Sequence, residues 1–364
     1  MPTGGPIFIL GAMGSGTTLL RLMLDSHPAI GIPQETGFMR GYDALRFTPF
    51  KWSGRNWTKR LGWSRKEFDA LAREFYDTLF MRYAEQHGKR RWGEKTPLHM
   101  WHIADMARLF GDAQFVGIVR HPQASVASNV RRFNAKLRKS IWHWDAYNSE
   151  LAHRATQFPE RFRLLRYEDL VTDPEPVLRP LLDFLGEEWS DALLEHHEVQ
   201  GSRGGRLKVE GRSRRDEPID VSRIDRWKQT LTAEQQVLVG DRLAPLAEFW
   251  GYRIGTAAAR DPLAGVDVPL VSGGDLAAAL PRFPHLGLDQ PREAPRYDRY
   301  YDPREVVVLS VEEYHELLEP GGARRLLIAV IRRVPGRLLR RRVVAALRRV
   351  RRRLGIRAAV RPKK

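Results

Sequence analysis

The residues best suited to chemistry lie close to the start of the chain. Gly11-Ala12-Met13-Gly14-Ser15-Gly16-Thr17-Thr18 follows a short apolar run, Pro6-Ile7-Phe8-Ile9-Leu10. Small residues let backbone N–H groups close on an anion, and a helix beginning near Gly16 adds its positive end. The spacing is that of a phosphate-binding loop, GxxxxG followed by two hydroxyl residues. Gly14, Ser15, Gly16, Thr17 and Thr18 are the expected cradle. Nucleotide hydrolases carry a lysine where Thr17 stands, and need it on the β and γ phosphates, so ordinary ATP or GTP hydrolysis is disfavoured.

Such a loop works only on a strand–loop–helix frame. Residues 6–10 read as a buried strand. Leu19, Leu20, Met23 and Leu24 follow at helical spacing. Helical patterns cover about 64–87 and 97–110, the second with Pro97 suited to its first turn. Residues 114–119 (QFVGIV) read as a second buried strand, and Pro122 opens a helix to about 133. Residues 161–167 read as a third strand, followed by a helix near 174–185. Thr232 is the expected N-cap of a helix over about 232–250. Strands alternating with helices predict an α/β fold, a P-loop-type parallel sheet with helices on both faces. Residues 1–255 are the expected domain. Residues 256–320, rich in Pro and Gly, read as an arm or linker, and 321–364 as a basic helical tail.

At this point four blocks resemble the sulfotransferases that use 3′-phosphoadenosine 5′-phosphosulfate (PAPS). Residues 14–28 (GSGTTLLRLMLDSHP) resemble their 5′-phosphosulfate loop, and 119–133 (VRHPQASVASNVRRF) their 3′-phosphate motif. Residues 164–186 resemble a third block and 222–231 (SRIDRWKQTL) a fourth. The blocks occur in order, and the likeness is nearest to the bacterial and tyrosylprotein branch. It implies sulfuryl transfer from PAPS to a hydroxyl or amine, with adenosine 3′,5′-bisphosphate as the second product. One departure stands out. The family usually has Arg or Lys at the position of Gly14; Lys95 and Arg21 are the local cations that could substitute.

The resemblance also distributes roles. Glu35, in IPQETGF just past a second strand, stands where that branch places its acceptor base. Lys95, in WGEKTP, stands where the branch has a lysine near the sulfuryl group, and a lysine at a strand end can reach the sheet-top crevice. Arg120 and Ser128, two helical turns beyond it, match the 3′-phosphate pair, and the arginine fork suits phosphate. Tyr167 and Arg226 are expected on the nucleotide side. His99, Phe38 and Trp142 are candidate acceptor walls, although the aromatic stretches 38–57 and 142–147 read equally as core, as does Trp227. Glu168-Asp169 read as structural, and His196-His197 as a helix surface. His99, His102 and Asp105 have metal-like spacing but no evident further ligand, so no metal is expected. Two alternatives stay open: a P-loop kinase, and a nucleotide-binding module in which Gly14 marks weakened catalysis.

Charge separates the tail from the rest. Lys+Arg total 61 against 44 Asp+Glu, a net +17. Residues 321–364 hold 15 Arg and 2 Lys and no acid, leaving 44 basic and 44 acidic side chains elsewhere. The surplus therefore argues for no nucleic-acid-binding domain. Leu339, Val343, Leu347, Val350 and Leu354 make an apolar stripe among the arginines. Such a helix suits an anionic membrane surface, and an amphiphilic acceptor would fit that setting; small-molecule, glycan, lipid and peptide-tyrosine acceptors all stay open. The absence of cysteine excludes disulfides, Cys-ligated zinc and thiol catalysis. With no secretory signal and no 18-residue apolar window, the expectation is a cytoplasmic protein peripheral to the inner membrane face.

Overall fold

The computed structural model describes residues 4–47, 61–202, 208–209, 213–214, 218–254 and 270–292. The basic tail lies outside them. Six strands form one sheet: β1 (Ile7–Leu10), β2 (Ile30–Gly31), β3 (Arg91–Glu94), β4 (Gln114–Val119), β5 (Phe162–Arg166) and, after a short ribbon of β6 (Lys208–Val209) and β7 (Ser213–Arg214), β8 (Leu270–Ser272). Their order is β2-β3-β1-β4-β5-β8, parallel except for β8, which runs antiparallel to β5.

The apolar strand runs are explained by burial on both faces. Ile7 and Ile9 join one hydrophobic cluster with Val116, Ile118 and Leu165, whereas Phe8 and Leu10 join another with Phe115, Val119 and Leu164. The first cluster is covered by α1 (Thr17–Ser26), α7 (Tyr167–Thr172) and α8 (Pro174–Leu185). The second is covered by α2 (Phe38–Phe47), α3 (Arg65–Gln86), α4 (Ile103–Leu109), α5 (Pro122–Phe133), α6 (Leu137–Gln157), α11 (Ala233–Phe249) and α12 (Gly273–Ala279). The remaining two helices among the described residues are α9 (His196–Ser202) and α10 (Trp227–Thr230). Phe8 packs against Phe38, Trp92, Phe110 and Phe115. Each such ring contributes about 1.5–3 kcal/mol through burial.

Local signals set several helix starts. Ser64 with Glu67, and Thr232 with Gln235, each close a reciprocal cap on α3 and α11. A cap of this kind contributes about 1 kcal/mol. The helix expected over 97–110 instead divides. Pro97–His102 form a tighter 3₁₀ turn, with His99 N donating to Thr96 O, before α4 begins. His196, expected on a surface, is fully buried because α9 packs against α1.

The stretch read as an arm contributes to the core. Residues 270–292 supply the sixth strand and α12, and bury Val271, Leu276, Ala279 and Leu288. The sequence hides this because a three-residue strand has no periodicity to read. Among the described residues, no helix is long and apolar enough to cross a membrane.

Candidate active site

The strand order reverses beside β1, and in open α/β sheets ligands sit outside the carboxyl ends of the strands at such a point. Five of the expected residues or loops leave strands there. β1 runs into the glycine loop, β2 precedes Glu35, β3 precedes Lys95, β4 precedes Arg120, and β5 precedes Tyr167.

The glycine loop is held open by its own backbone. Gly14 and Gly16 have φ of 88° and 103°, which favours glycine. A methyl at Gly16 would meet Tyr167 Cδ2 at 2.3 Å. At Gly14 it would meet Ser125 O at 3.0 Å, Asn129 Oδ1 at 3.2 Å and Ser128 Cβ at 3.3 Å. The missing basic side chain thus has a steric reason, since the loop here lies against α5. Asn129 Nδ2 donates to Met13 O at 2.8 Å, and Ser125 Oγ donates to the same carbonyl at 3.3 Å. Helix α1 starts without a side-chain cap or an acid in its first turn, so its positive end is not neutralised locally. The buried Ser15 hydroxyl and Arg120 Nε lack hydrogen-bond partners among the described residues. Glycines, an uncapped helix start and unpaired donors suit an anionic phosphate group.

Lys95, Glu35 and Thr18 come together. Lys95 Nζ donates to Glu35 Oε1 at 2.5 Å and to Thr18 Oγ1 at 3.4 Å. The Lys95 side chain is 0% exposed, whereas that of Glu35 is 37% exposed. A carboxylate reachable from solvent therefore touches a buried cation that also touches the glycine loop. Arg21, the other local cation, donates to Ile32 O at 3.2 Å, on the chain leading to Glu35.

Arg120 bridges the other side of the loop. Its Nη1 donates to Gly14 O at 3.2 Å, its Nη2 donates to Arg223 O at 2.6 Å, and its guanidinium lies 4.1 Å from the Tyr167 ring centroid. Burial pushes the Tyr167 phenol up against the opposing pull of Arg120 and Arg223, which keeps it protonated. Ser128 is half-buried on α5, beside Gly14. Arg226 donates to Asp220 Oδ2 at 3.1 Å, and Arg223 donates to the same oxygen at 3.0 Å. That pairing clamps the 220–226 turn.

Two of the three candidate acceptor walls are placed differently from expectation. Phe38 is packed in the core, 4.9 Å from the His99 ring. His99 is buried, with Nδ1 2.7 Å from Glu94 Oε2. Neither offers an acceptor an open face. Trp142 is half-buried on α6, its ring 6.4 Å from His143. Asp43, His102 and Asp105 cluster with ligand atoms within 4.8 Å of one another. Asp105 is already engaged by Arg65 at 3.1 Å and Arg108 at 2.6 Å.

Sequence reading took Glu168 as structural but did not single out Trp144 or Tyr252 as braces of the site. Trp144 Nε1 donates to Arg120 O at 2.9 Å. Glu168 accepts from His121 N at 3.0 Å and from the Tyr252 hydroxyl at 2.8 Å, fixing the chain just past Arg120. Only Glu168 lay in a recognisable block. Trp144 and Tyr252 carry no local signal, because their partners are distant in sequence.

A family model described as "Sulfotransferase family" matches residues 6–191. Protein-tyrosine sulfotransferase 1 of Danio rerio is 28% identical over 260 residues, covering 68% of this chain and 72% of that protein. Protein-tyrosine sulfotransferase A of Caenorhabditis elegans is 28% identical over 259 residues, covering 68% and 67%. Among solved structures, the sulfotransferase domain from the curacin biosynthetic pathway has a TM-score of 0.45 at 23% identity, covering 67% of this chain and 99% of that one. With over half the chain matched by the family model, this is a P-loop α/β transferase of the sulfotransferase class. The chain belongs to the sulfotransferase family, and its reaction is sulfuryl transfer from PAPS.

Proposed function

We propose that the chain sulfates a hydroxyl of a protein acceptor, with tyrosine as the leading group, by direct in-line transfer. The Glu35–Lys95–Thr18 contact carries the reading, and the names of the protein-tyrosine sulfotransferases above supply the acceptor class. The phosphosulfate of PAPS lies on Gly14–Thr18, with Arg120 and Ser128 on its 3′-phosphate. Tyr167 flanks the nucleotide. Glu35 takes the acceptor proton as the acceptor oxygen bonds to sulfur. The bond from sulfur to the phosphate oxygen breaks, and Lys95 with the loop amides stabilises the charge that develops. Transfer of labelled sulfate from PAPS to a tyrosine peptide, absent from its phenylalanine counterpart, is the expected result. Transfer to small hydroxyl compounds alone would overturn the acceptor.

The donor side has its own test. Wild-type protein should bind adenosine 3′,5′-bisphosphate more tightly than AMP or ATP in calorimetric titration. Arg120→Ala should weaken it about 10- to 100-fold, the scale of one or two charge-assisted hydrogen bonds. Equal affinity for AMP in the wild type would remove the 3′-phosphate assignment.

The proposal extends to location. The basic stripe of residues 321–364 suits the cytoplasmic face of an anionic membrane. Full-length protein should float with anionic liposomes, and protein lacking 321–364 should not. Equal flotation of the two would refute attachment through the tail.

A further inference from the structure

The last residue of β3 and the residue after it part company. Lys95 turns to the glycine loop, while Glu94 is buried beneath the loop that carries Glu35. Glu94 Oε1 accepts from Thr36 N at 3.1 Å, from Thr36 Oγ1 at 3.0 Å and from Thr96 Oγ1 at 2.6 Å. The Thr96 hydroxyl in turn accepts from Gly37 N at 3.2 Å. The Thr36 hydroxyl accepts from Phe38 N at 3.3 Å, and His99 Nε2 accepts from Met39 N at 3.5 Å. Four consecutive backbone N–H groups, 36 to 39, thus point into one network centred on Glu94. Those of 37 to 39 are orphan donors at the start of α2, and a carboxylate is favoured near such a helix end.

From this we infer that Glu94 is the positioning residue for sulfuryl transfer: with Thr36, Thr96 and His99 it fixes the loop that aims Glu35. The inference rests on the reading of Glu35 as base. Gln34, Glu35 and Thr36 are all exposed, so packing of their own side chains contributes little restraint. The hydrogen bonding one residue further on anchors the backbone that carries Glu35 towards Lys95. Burial would push the Glu94 carboxyl up, but His99, Thr96 and Thr36 together hold it below the ordinary carboxylate value, so it stays an anion and an acceptor. His99 Nδ1 lies 2.7 Å from Glu94 Oε2, so the ring that faces Met39 N is packed against the same carboxylate. Among the described residues, no hydrogen bond joins this network to Arg120 or Ser128, so its loss should separate transfer from nucleotide binding.

Glu94→Gln keeps the size and removes the charge. Its kcat should fall about 10- to 100-fold, the cost of a base displaced by roughly an ångström. Affinity for adenosine 3′,5′-bisphosphate should stay within about twofold, since its proposed contacts are elsewhere. In hydrogen exchange, the amides of 36–39 should lose protection while those of 12–18 keep it. Thr36→Val should lower kcat about tenfold and Thr36→Ser should restore it, because only the hydroxyl bridges Glu94 to Phe38. Unchanged kcat and unchanged protection in Glu94→Gln would overturn the inference. So would a fall in nucleotide affinity matching the fall in kcat, or Thr36→Ser as slow as Thr36→Val. Turnover retained by Glu35→Gln would remove the base assignment while leaving the exchange result intact, so the two failures are distinguishable.

Discussion

Replacing Glu35 with Gln lowers turnover about 10²- to 10⁴-fold, the range a positioned general base supplies. Binding of adenosine 3′,5′-bisphosphate is unaffected. The amide has nearly the shape of the carboxylate but cannot accept the acceptor proton. The Glu35 side chain is the exposed member of its pair with Lys95, so an acceptor hydroxyl can approach it from solvent. The nucleotide contacts proposed for Arg120, just past β4, and Ser128, on α5, are unchanged. Steady-state turnover with a tyrosine peptide, alongside calorimetric titration of the nucleotide, reads both quantities. A variant that turns over at the wild-type rate would move the base elsewhere.

Lys95→Ala lowers the single-turnover rate about 10²- to 10³-fold, the cost of removing one preorganised donor to developing charge. Lys95 is fully buried and reaches both Thr18 of the glycine loop and Glu35. Low exposure strengthens its field at the sulfuryl position, because little water screens it. Gly14 brings no cation of its own, and its contacts with α5 show why. Lys95→Arg keeps the charge but must fit a planar fork into a site shaped for an ammonium, so it should recover only part of the rate. Rapid-quench measurement with PAPS separates this from acceptor binding. No change of rate in Lys95→Ala would mean that the cation comes from another residue.

The sequence by itself determined the frame and the anion cradle. Gly11–Thr18 after an apolar run could be read locally, because a turn with positive φ and a helix start are decided within eight residues. The strands at 7–10, 114–119 and 162–166 were legible for the same reason, as was the cap at Thr232. Family likeness placed Glu35, Lys95 and Arg120 at strand ends, and the sheet brings those ends to one edge.

Tertiary structure decided what those residues touch. Glu35 and Lys95 are 60 positions apart, and they meet because β2 and β3 pair in parallel and end side by side. His99 looked like an acceptor wall, yet the 3₁₀ turn after Thr96 sends it inward to Glu94. Residues 270–272 looked like part of an arm, yet the open edge of β5 takes them as a strand. Motifs and propensities act over a few residues. Contacts between strand ends depend on sheet order, which long-range burial of both faces selects and no single segment encodes.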